Sequence, residues 1–449
     1  MQKMNIIRLK ERDVTPLCSA SVDPNGFLFR WEGGLYRAVS HSHEFVCRDL
    51  LKSRVIGKLF DLGLIETEIA SIELEGYPLV LKHRELPFVS YVTEWCGSML
   101  KDAAMLTLDI SEAVSEIGLE LQDAHPWNVL FDGCSPRFID FGSIVPKKAS
   151  GRWRPSKEFT GTFFNPLRLM TAGFAGQARS LLVDPVTMKG RRLGQKDVLM
   201  AVIKSGRRRQ IVTSAASILF RNPWIVDDSI GGFKKRIDKI SVPLEKTRWS
   251  DYSKDEVDLT TKETWIVKRK TVHDVIENIR PKTLLDIGGN TGWFSKLAAM
   301  YGSRVITTDY DDTCINKLYS NEEARKQKIL PLVLDFTNPT PAYGINLRCR
   351  PATERLRCDM VLGLAIVHHL VFRQKQKFEQ IVSRLSDFTG KWLLVEFIPK
   401  EDKYVSEWYN DAFSWYTPEN FSEELKKHFR KVDKLPSNPE PRMMFLCER

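Results

Sequence analysis

The sequence predicts two differently built halves: a parallel, doubly wound α/β sheet closed by an antiparallel terminal hairpin towards the C-terminus, and an α+β unit before it. Three observations carry that reading. A short apolar run, Thr283-Leu284-Leu285-Asp286-Ile287, ends at a glycine-rich turn, Gly288-Gly289-Asn290-Thr291-Gly292, and a helix-compatible segment through Lys296, Leu297 and Ala298 follows at once. Further apolar runs of strand length recur after it with helical stretches between them, the alternation of a parallel sheet. Upstream, short strand-like runs and one long amphipathic segment occur without that alternation.

The order strand, tight turn, helix brings backbone N–H groups to one sheet edge, where α/β folds bind nucleotides. Arg304-Val305-Ile306-Thr307-Thr308 closes on Asp309, 17 residues past Gly292, the place and residue type expected to hold a ribose through its hydroxyls. Leu330 to Leu334 closes on Asp335. Cys358 to Leu362 continues through Gly363 into His368-His369, and Trp392 to Val395 runs into Glu396. Arg430 to Lys434 and Met443 to Cys447, separated by Asn438-Pro439-Glu440-Pro441, read as the terminal hairpin. The spacing Asp286-x-Gly288-x-Asn290-x-Gly292 does not match the dinucleotide fingerprint G-x-G-x-x-G. It resembles motif I of the class I S-adenosylmethionine-dependent methyltransferases, with Asn290 where a glycine usually stands, a residue that enters positive-φ conformations readily. That resemblance implies a Rossmann-like sheet and S-adenosyl-L-methionine as cofactor. Its binding set would be Asp286, Gly288, Asn290, Gly292, Asp309 and Asp335, the last beside the adenine amino group.

In a methyl transfer the cofactor supplies an activated methyl, and the protein aligns a nucleophile and, for a hydroxyl or amine, removes a proton. His368 and His369, just after the fourth strand, are suited to general-base work near neutral pH, although one of a neighbouring pair usually packs inward. An acceptor acidic enough to need no base is the alternative. Glu396 would orient a histidine or bind a substrate hydroxyl, with an ion pair to Lys400 or Lys403 as its structural reading. Trp249 and Tyr252 precede the cofactor segment and are lid candidates, or packing aromatics.

In the N-terminal half, Phe27 to Trp31 and Leu35 to Val39, joined by Glu32-Gly33-Gly34, read as a hairpin. Helical spacing runs from His43 to about Asp61, strand candidates are Tyr77 to Leu81 and Val89 to Val92, and a long helix is expected from Ser98 to about Ile117. Leu121-Gln122-Asp123-Ala124-His125-Pro126-Trp127-Asn128 and Asp140-Phe141-Gly142 then resemble the catalytic and metal-binding loops of kinases. Asp123 matches the catalytic aspartate, while Asn128 and Asp140 match Mg²⁺ ligands, which implies Mg-ATP. The upstream pattern departs from this: no glycine-rich loop precedes the hairpin, Arg37 stands where a lysine is expected, and Leu121 and Gln122 replace the catalytic histidine and arginine. Glu44 is offered as the partner of Arg37. An arginine is not equivalent to that lysine, so a degenerate module that binds a partner or substrate is the alternative to an active phosphotransferase.

The 449 residues are enough for two or three domains, expected at 1–150 (kinase-like), 151–245 (a basic, mostly helical connection with Pro166, Pro185 and Pro223 as breakers) and 246–449 (methyltransferase). Between Lys147 and Arg209, 15 lysines and arginines face three acids, more excess charge than the whole chain's net +10, so the remainder is slightly acidic. That basic stretch lacks the interleaved aromatics of a single-strand groove, which speaks against nucleic acid as the partner. Eight cysteines without a CxxC pair argue against a disulfide framework and a zinc site, and His41, His43 and Cys47 have no fourth ligand at suitable spacing; no metal centre is expected. No apolar run approaches the roughly 20 residues of a membrane span, and the N-terminus lacks a signal-peptide core, so no transmembrane segment and a cytoplasmic location are expected.

Taken together, Ser90-Tyr91-Val92-Thr93-Glu94-Trp95, Ser98 to Ala104, the Asp123 to Asn128 loop, Trp249-Ser250-Asp251-Tyr252, the glycine turn, Leu334 to Pro339 and Val395 to Asp402 resemble a bacterial family that joins a kinase-like domain to a class I methyltransferase domain. The resemblance runs from about residue 20 to the C-terminus. It implies a part in host-specific nodulation, with a Nod factor (a lipo-oligosaccharide) or a surface saccharide as methyl acceptor. The rival readings are a phosphotransferase acting through Asp123 and Asp140, and a non-catalytic regulator.

Overall fold

The computed structural model describes residues 7–17, 23–149, 153–183, 192–194, 227–244, 246–250, 259, 261–344 and 347–449. They fall into two units, Met1–Pro243 with Ala342–Arg350, and Leu244–Pro341 with Pro351–Arg449.

The first unit is built on a five-stranded antiparallel sheet of β1 (Thr15–Pro16), β2 (Gly26–Trp31), β3 (Gly34–Val39), β4 (Thr67–Ile69) and β5 (Leu79–His83), in the order β1-β2-β3-β5-β4. Phe29, Tyr36, Ala38 and Val80 bury one face of it together with Ile72 and Leu74. The single helix expected over 43–61 is two, α1 (Glu44–Lys52) and α2 (Ile56–Leu62). Ser53 causes the break: its backbone is extended, and its hydroxyl donates back to the Leu50 carbonyl at 2.7 Å, competing with the helical ladder. Val89 to Val92 is not a strand. The Glu94 carboxylate accepts the Tyr91 N–H at 2.8 Å and Ser90 accepts from Trp95 Nε1 at 3.0 Å, so side chains hold this stretch in a turn over Val92–Glu94. The long helix α3 covers Gly97–Ser115.

In the basic stretch the chain stays helical across Pro166, which opens the helix Asn165–Thr171 directly after a π-wound turn, Thr160–Phe164, where the ordinary ladder is already shifted. Pro185, Pro223, Arg207 to Arg209 and Tyr252 lie outside the described residues.

The second unit carries a seven-stranded sheet: β6 (Thr283–Ile287), β7 (Arg304–Asp309), β8 (Leu330–Val333), β9 (Cys358–Gly363), β10 (Thr389–Phe397), β11 (Lys431–Pro436) and β12 (Met443–Glu448), ordered β8-β7-β6-β9-β10-β12-β11. Strands β6 to β10 pair in parallel, and β12 runs antiparallel to both its neighbours. Every residue of β8 is buried and β6 is buried after Thr283, as strands covered on both faces require. The chain winds outward from β6 to β8 and then restarts at β9 on the other side of β6. In open α/β sheets such a switch point, at the carboxyl ends of the strands, is where ligands bind. Helix α4 (Val267–Ile279) precedes β6, α5 (Trp293–Met300) follows it, and the short α6 (Val367–Phe372) follows β9. No helix among the described residues is long and apolar enough to cross a membrane.

Candidate functional site

The turn between β6 and α5 takes three residues through the left-handed region: Gly288 at φ +70°, Asn290 at +53° and Gly292 at +78°. Asparagine therefore does at 290 what the spacing demanded of it. Gly289, which sequence reasoning passed over, is required for a different reason: a Cβ there would lie 2.5 Å from Thr307 Cγ2 and 2.7 Å from a carboxylate oxygen of Asp286. The Gly288 and Gly289 N–H groups donate to the Thr308 carbonyl at 2.8 and 3.1 Å, clamping the turn to β7.

The three acids stand at the same ends of adjacent strands, but in different surroundings. Asp286 is buried and accepts the Ser295 hydroxyl at 2.7 Å, and Ser295 accepts from Thr307 at 2.6 Å. Burial, with some help from the nearby Asp309 charge, pushes the Asp286 carboxyl up to about 6. Asp309 accepts the Asn290 N–H at 3.0 Å and the Asp311 N–H at 2.9 Å; burial still wins over these bonds and pushes it up to about 6. Asp309 thus ties β7 to the middle of the glycine turn. The Leu334 N–H donates to the Asp309 carbonyl at 2.9 Å, which brings the end of β8 alongside, yet Asp335 itself is exposed and accepts from the backbone and hydroxyl of Thr337.

Trp249 sits over the turn: its carbonyl accepts Asn290 Nδ2 at 3.1 Å and its indole donates to the Tyr310 hydroxyl. Its ring meets His369 edge to face at 5.1 Å, and His369 and His368 both pack on Trp408, at 5.4 and 5.9 Å. Both Nδ1 atoms of the histidine pair are buried without a hydrogen-bond partner. Burial lowers His368 to about 2 and His369 to about 4, each reinforced by neighbouring positive charge, so both are neutral and weakly basic at pH 7. Glu396 is fully buried and has both oxygens engaged: Lys268 of α4 donates to one at 2.6 Å, Ser437 to the other at 2.6 Å. Its cation is Lys268, where the sequence offered Lys400 or Lys403. Lys268, absent from the sequence reading, also acts electrostatically on Asp286 and His368, which places the pair near both.

In the first unit, Arg37 on β3 is nearly fully buried, with its guanidinium between two carboxylates, Asp23 at 2.5 Å and Asp140 at 3.2 Å. Glu44, the expected partner, pairs instead with Arg48 at 2.8 Å, one helical turn along α1. A Cβ at Gly142 would lie 2.5 Å from Arg37 Nη1, and Asn25 donates to the Gly142 carbonyl at 2.9 Å, so the 140–142 turn is shaped around the guanidinium. Burial raises the Asp140 carboxyl, the Arg37 charge opposes this, and Asp23, His125 and Asp123 act on it as well. Asp123 and Asp140 are thereby gathered at one place. Asn128 is buried close by in the chain, its backbone carbonyl accepting the Ile139 N–H at 2.9 Å. Asp23 gave no signal in the sequence because a lone acid in a loop matches no motif.

Among the described residues, the His, Cys, Asp and Glu side chains close enough to share a metal ion are His273, Asp274 and Glu277. His273 is already bonded to Asp274, Tyr301 and Lys262.

The second unit's strand order, with a glycine turn tied to an acid at the end of β7, is that of a doubly wound sheet. No protein-family model matches the chain. Over 95% of its length, and 94% of the other protein, the chain is 26% identical to nodulation protein NoeA of Rhizobium meliloti (strain 1021), the relationship its motifs resembled. Among solved structures it is similar to monomeric WbdD, described elsewhere as a bifunctional kinase-methyltransferase, with 18% identity, a TM-score of 0.32 and 48% of each chain covered. It is also similar to the magnesium protoporphyrin IX methyltransferase of Synechocystis PCC 6803 with bound SAM, with 13% identity, a TM-score of 0.30, and 40% of this chain and 79% of that one covered. The chain spans less than half of WbdD.

Proposed function

We propose that the second unit is a class I methyltransferase that binds S-adenosyl-L-methionine across the carboxyl ends of β6, β7 and β8. The observation that carries this is the Asp309 carboxylate, buried and bonded to the N–H of the one non-glycine residue in the turn that has positive φ. Gly289 lets the turn lie directly against Thr307 and Asp286, where a side chain would collide. A cofactor of this kind supplies a methyl group on a positively charged sulfur, already activated for transfer. Asp309 would accept the ribose hydroxyls and Asp335 would meet the adenine amino group, while Asp286 holds the turn from beneath through Ser295. Trp249 and Tyr310 cover the ribose side and exclude water. His368 and His369 line the acceptor side, where His369 takes a proton only from an acceptor far more acidic than an alcohol. Glu396 acts through Lys268, fixing the floor of that site.

The kinase-like unit serves this reading as a binding module, because the Asp140 carboxylate expected to hold Mg²⁺ already faces a buried guanidinium. A role in nodulation, with a saccharide or lipo-oligosaccharide acceptor, follows from the similarity to NoeA and is part of the proposal, as is action in the cytoplasm.

Titration calorimetry with S-adenosyl-L-methionine tests it. Wild-type protein is expected to bind, and Asp309→Ala to bind at least about tenfold more weakly, the loss of charge-assisted hydrogen bonds. Wild-type protein that takes up no heat, or an unaffected Asp309→Ala variant, overturns the reading.

A further inference from the structure

In the first unit a fault in a helix holds a separate piece of the same chain. Across the π-wound turn Thr160–Phe164 the Asn165 N–H goes to the Thr160 carbonyl, and the next residue, Pro166, has no N–H to give. The Gly161 carbonyl is thereby left without a donor along the helix. The Leu193 N–H supplies one at 2.7 Å, and the Leu193 carbonyl accepts Asn165 Nδ2, also at 2.7 Å. Both main-chain groups of one residue are thus answered by the same break, as in sites that bind a peptide through its backbone.

Side chains supply selectivity. Leu193 is 1% exposed, so its side chain is enclosed and not merely laid over the surface. A Cβ at Gly161 would lie 2.8 Å from Arg192 Cβ and 3.2 Å from Arg192 Cα, so only a glycine lets this segment come so close. The Arg192 guanidinium donates to one oxygen of Glu158 at 2.7 Å, and the other oxygen of Glu158 accepts the Ala124 N–H at 2.9 Å. Ala124 directly follows Asp123 in the loop that leads to Trp127 and Asn128. A carboxylate held at both oxygens has a fixed plane, so its hold on Ala124 depends on Arg192 being in place.

We propose that the break at Gly161–Asn165 is a peptide-binding site selective for arginine followed by leucine, that Arg192-Leu193 is its resident ligand, and that Glu158 is the positioning residue through which this ligand sets the Asp123 to Asn128 loop. The inference is independent of the methyltransferase reading. It also gives part of the basic stretch a use: Arg192 spends its charge inside the first unit.

The test follows Trp127, whose ring packs on Tyr91 and Tyr343 at 5.8 and 5.3 Å and so reports on the loop. Full-length protein is labelled with fluorotryptophan and its ¹⁹F signal for Trp127 assigned through Trp127→Phe. Arg192→Gln alone, a surface change that leaves the leucine enclosed, is expected to move that signal part of the way, and R192Q with L193A to move it further in the same direction. Capped Arg-Leu-Gly tripeptide is then titrated into the double variant up to about 10 mM, above the on-the-order-of-1-mM effective concentration of a tethered segment. It is expected to return the signal towards its wild-type position with an affinity at least about tenfold above that of capped Arg-Ala-Gly. Adding Glu158→Ala to the double variant is expected to abolish the response. A Trp127 signal that stays in place in the folded variants, or a response that persists without Glu158, overturns the relay to the loop. No response to either peptide, or an equal response to both, overturns the peptide site.

Discussion

Asp309 is asked to do two things that pull in opposite directions. On the proposed reading ribose hydroxyls need it ionised, yet burial pushes its carboxyl from 3.8 to about 6. The folded protein holds this proton more tightly than the unfolded chain does. The shift therefore favours folding below about pH 4, and that contribution is lost as pH rises to about 6. At pH 7.5 the ionised form costs the folded state on the order of 2–3 kcal/mol, an upper figure because Asp286 titrates in the same range nearby. Asp309→Asn is expected to raise the melting temperature at pH 7.5, to lose that advantage at pH 4.5 and to bind the methyl donor poorly at both. In the wild type, donor affinity should fall about tenfold per pH unit below 6. Thermal unfolding and calorimetry across pH 4.5–8 check both arms.

Arg37 makes the complementary case in the first unit, where a fixed side chain supplies positive charge between two carboxylates. Removing it as Arg37→Met should destabilise the unit by about 3–5 kcal/mol, the usual cost of stranding a buried charge. It should also open Asp23 and Asp140 to a divalent ion. Mn²⁺ is then expected to raise the melting temperature of the variant and leave that of the wild type unchanged. Stabilisation of the wild type by Mg-ATP that vanishes in Asp140→Ala would favour the phosphotransferase reading instead.

At the scale of single elements, the glycine turn shows how backbone conformation limits composition. Asn290→Gly should change stability by a few tenths of a kcal/mol, whereas Asn290→Val places a β-branched residue at φ +53° and should cost about 1–3 kcal/mol. Denaturant unfolding of the two variants separates these outcomes. The turn was legible in the sequence because its requirement is local: successive positive-φ positions call for glycine or asparagine wherever they occur. The strands of the second unit were legible for a similar reason, since burial on both faces leaves uninterrupted apolar runs such as Leu330 to Val333. Gly289, Lys268 and the pairing of Arg37 with Asp23 and Asp140 were not. Each depends on a close approach between segments far apart in the chain, and such an approach leaves no local pattern. Val89 to Val92 misled because its β-branched residues suit a strand, while the hydrogen bonds that decide its shape come from Ser90 and Glu94.

At the scale of the molecule, the first unit is discontinuous. Residues 342–350 lie between β8 and β9 in sequence but belong to the first unit, where Tyr343 is buried against Tyr91 and Trp127 at 4.9 and 5.3 Å. The Tyr91 hydroxyl donates to the Arg350 carbonyl at 3.1 Å. Tyr343→Ala should therefore destabilise the first unit, by about 3 kcal/mol as for other large-to-alanine core changes, while the seven-stranded sheet around it in sequence keeps its stability. Hydrogen exchange resolved by peptide distinguishes this from a general loss.

The same excursion bears on how the chain matures on the ribosome. Domains generally fold as their sequence emerges, but here Trp127 and Tyr91 wait for a partner translated more than 200 residues later. At about 5–20 residues per second, the nascent N-terminal portion spends on the order of ten seconds or more with that aromatic surface uncovered. A gene cut anywhere between codons 244 and 341 would leave it uncovered for good, so premature termination there should yield an aggregating fragment in place of a free-standing kinase-like module.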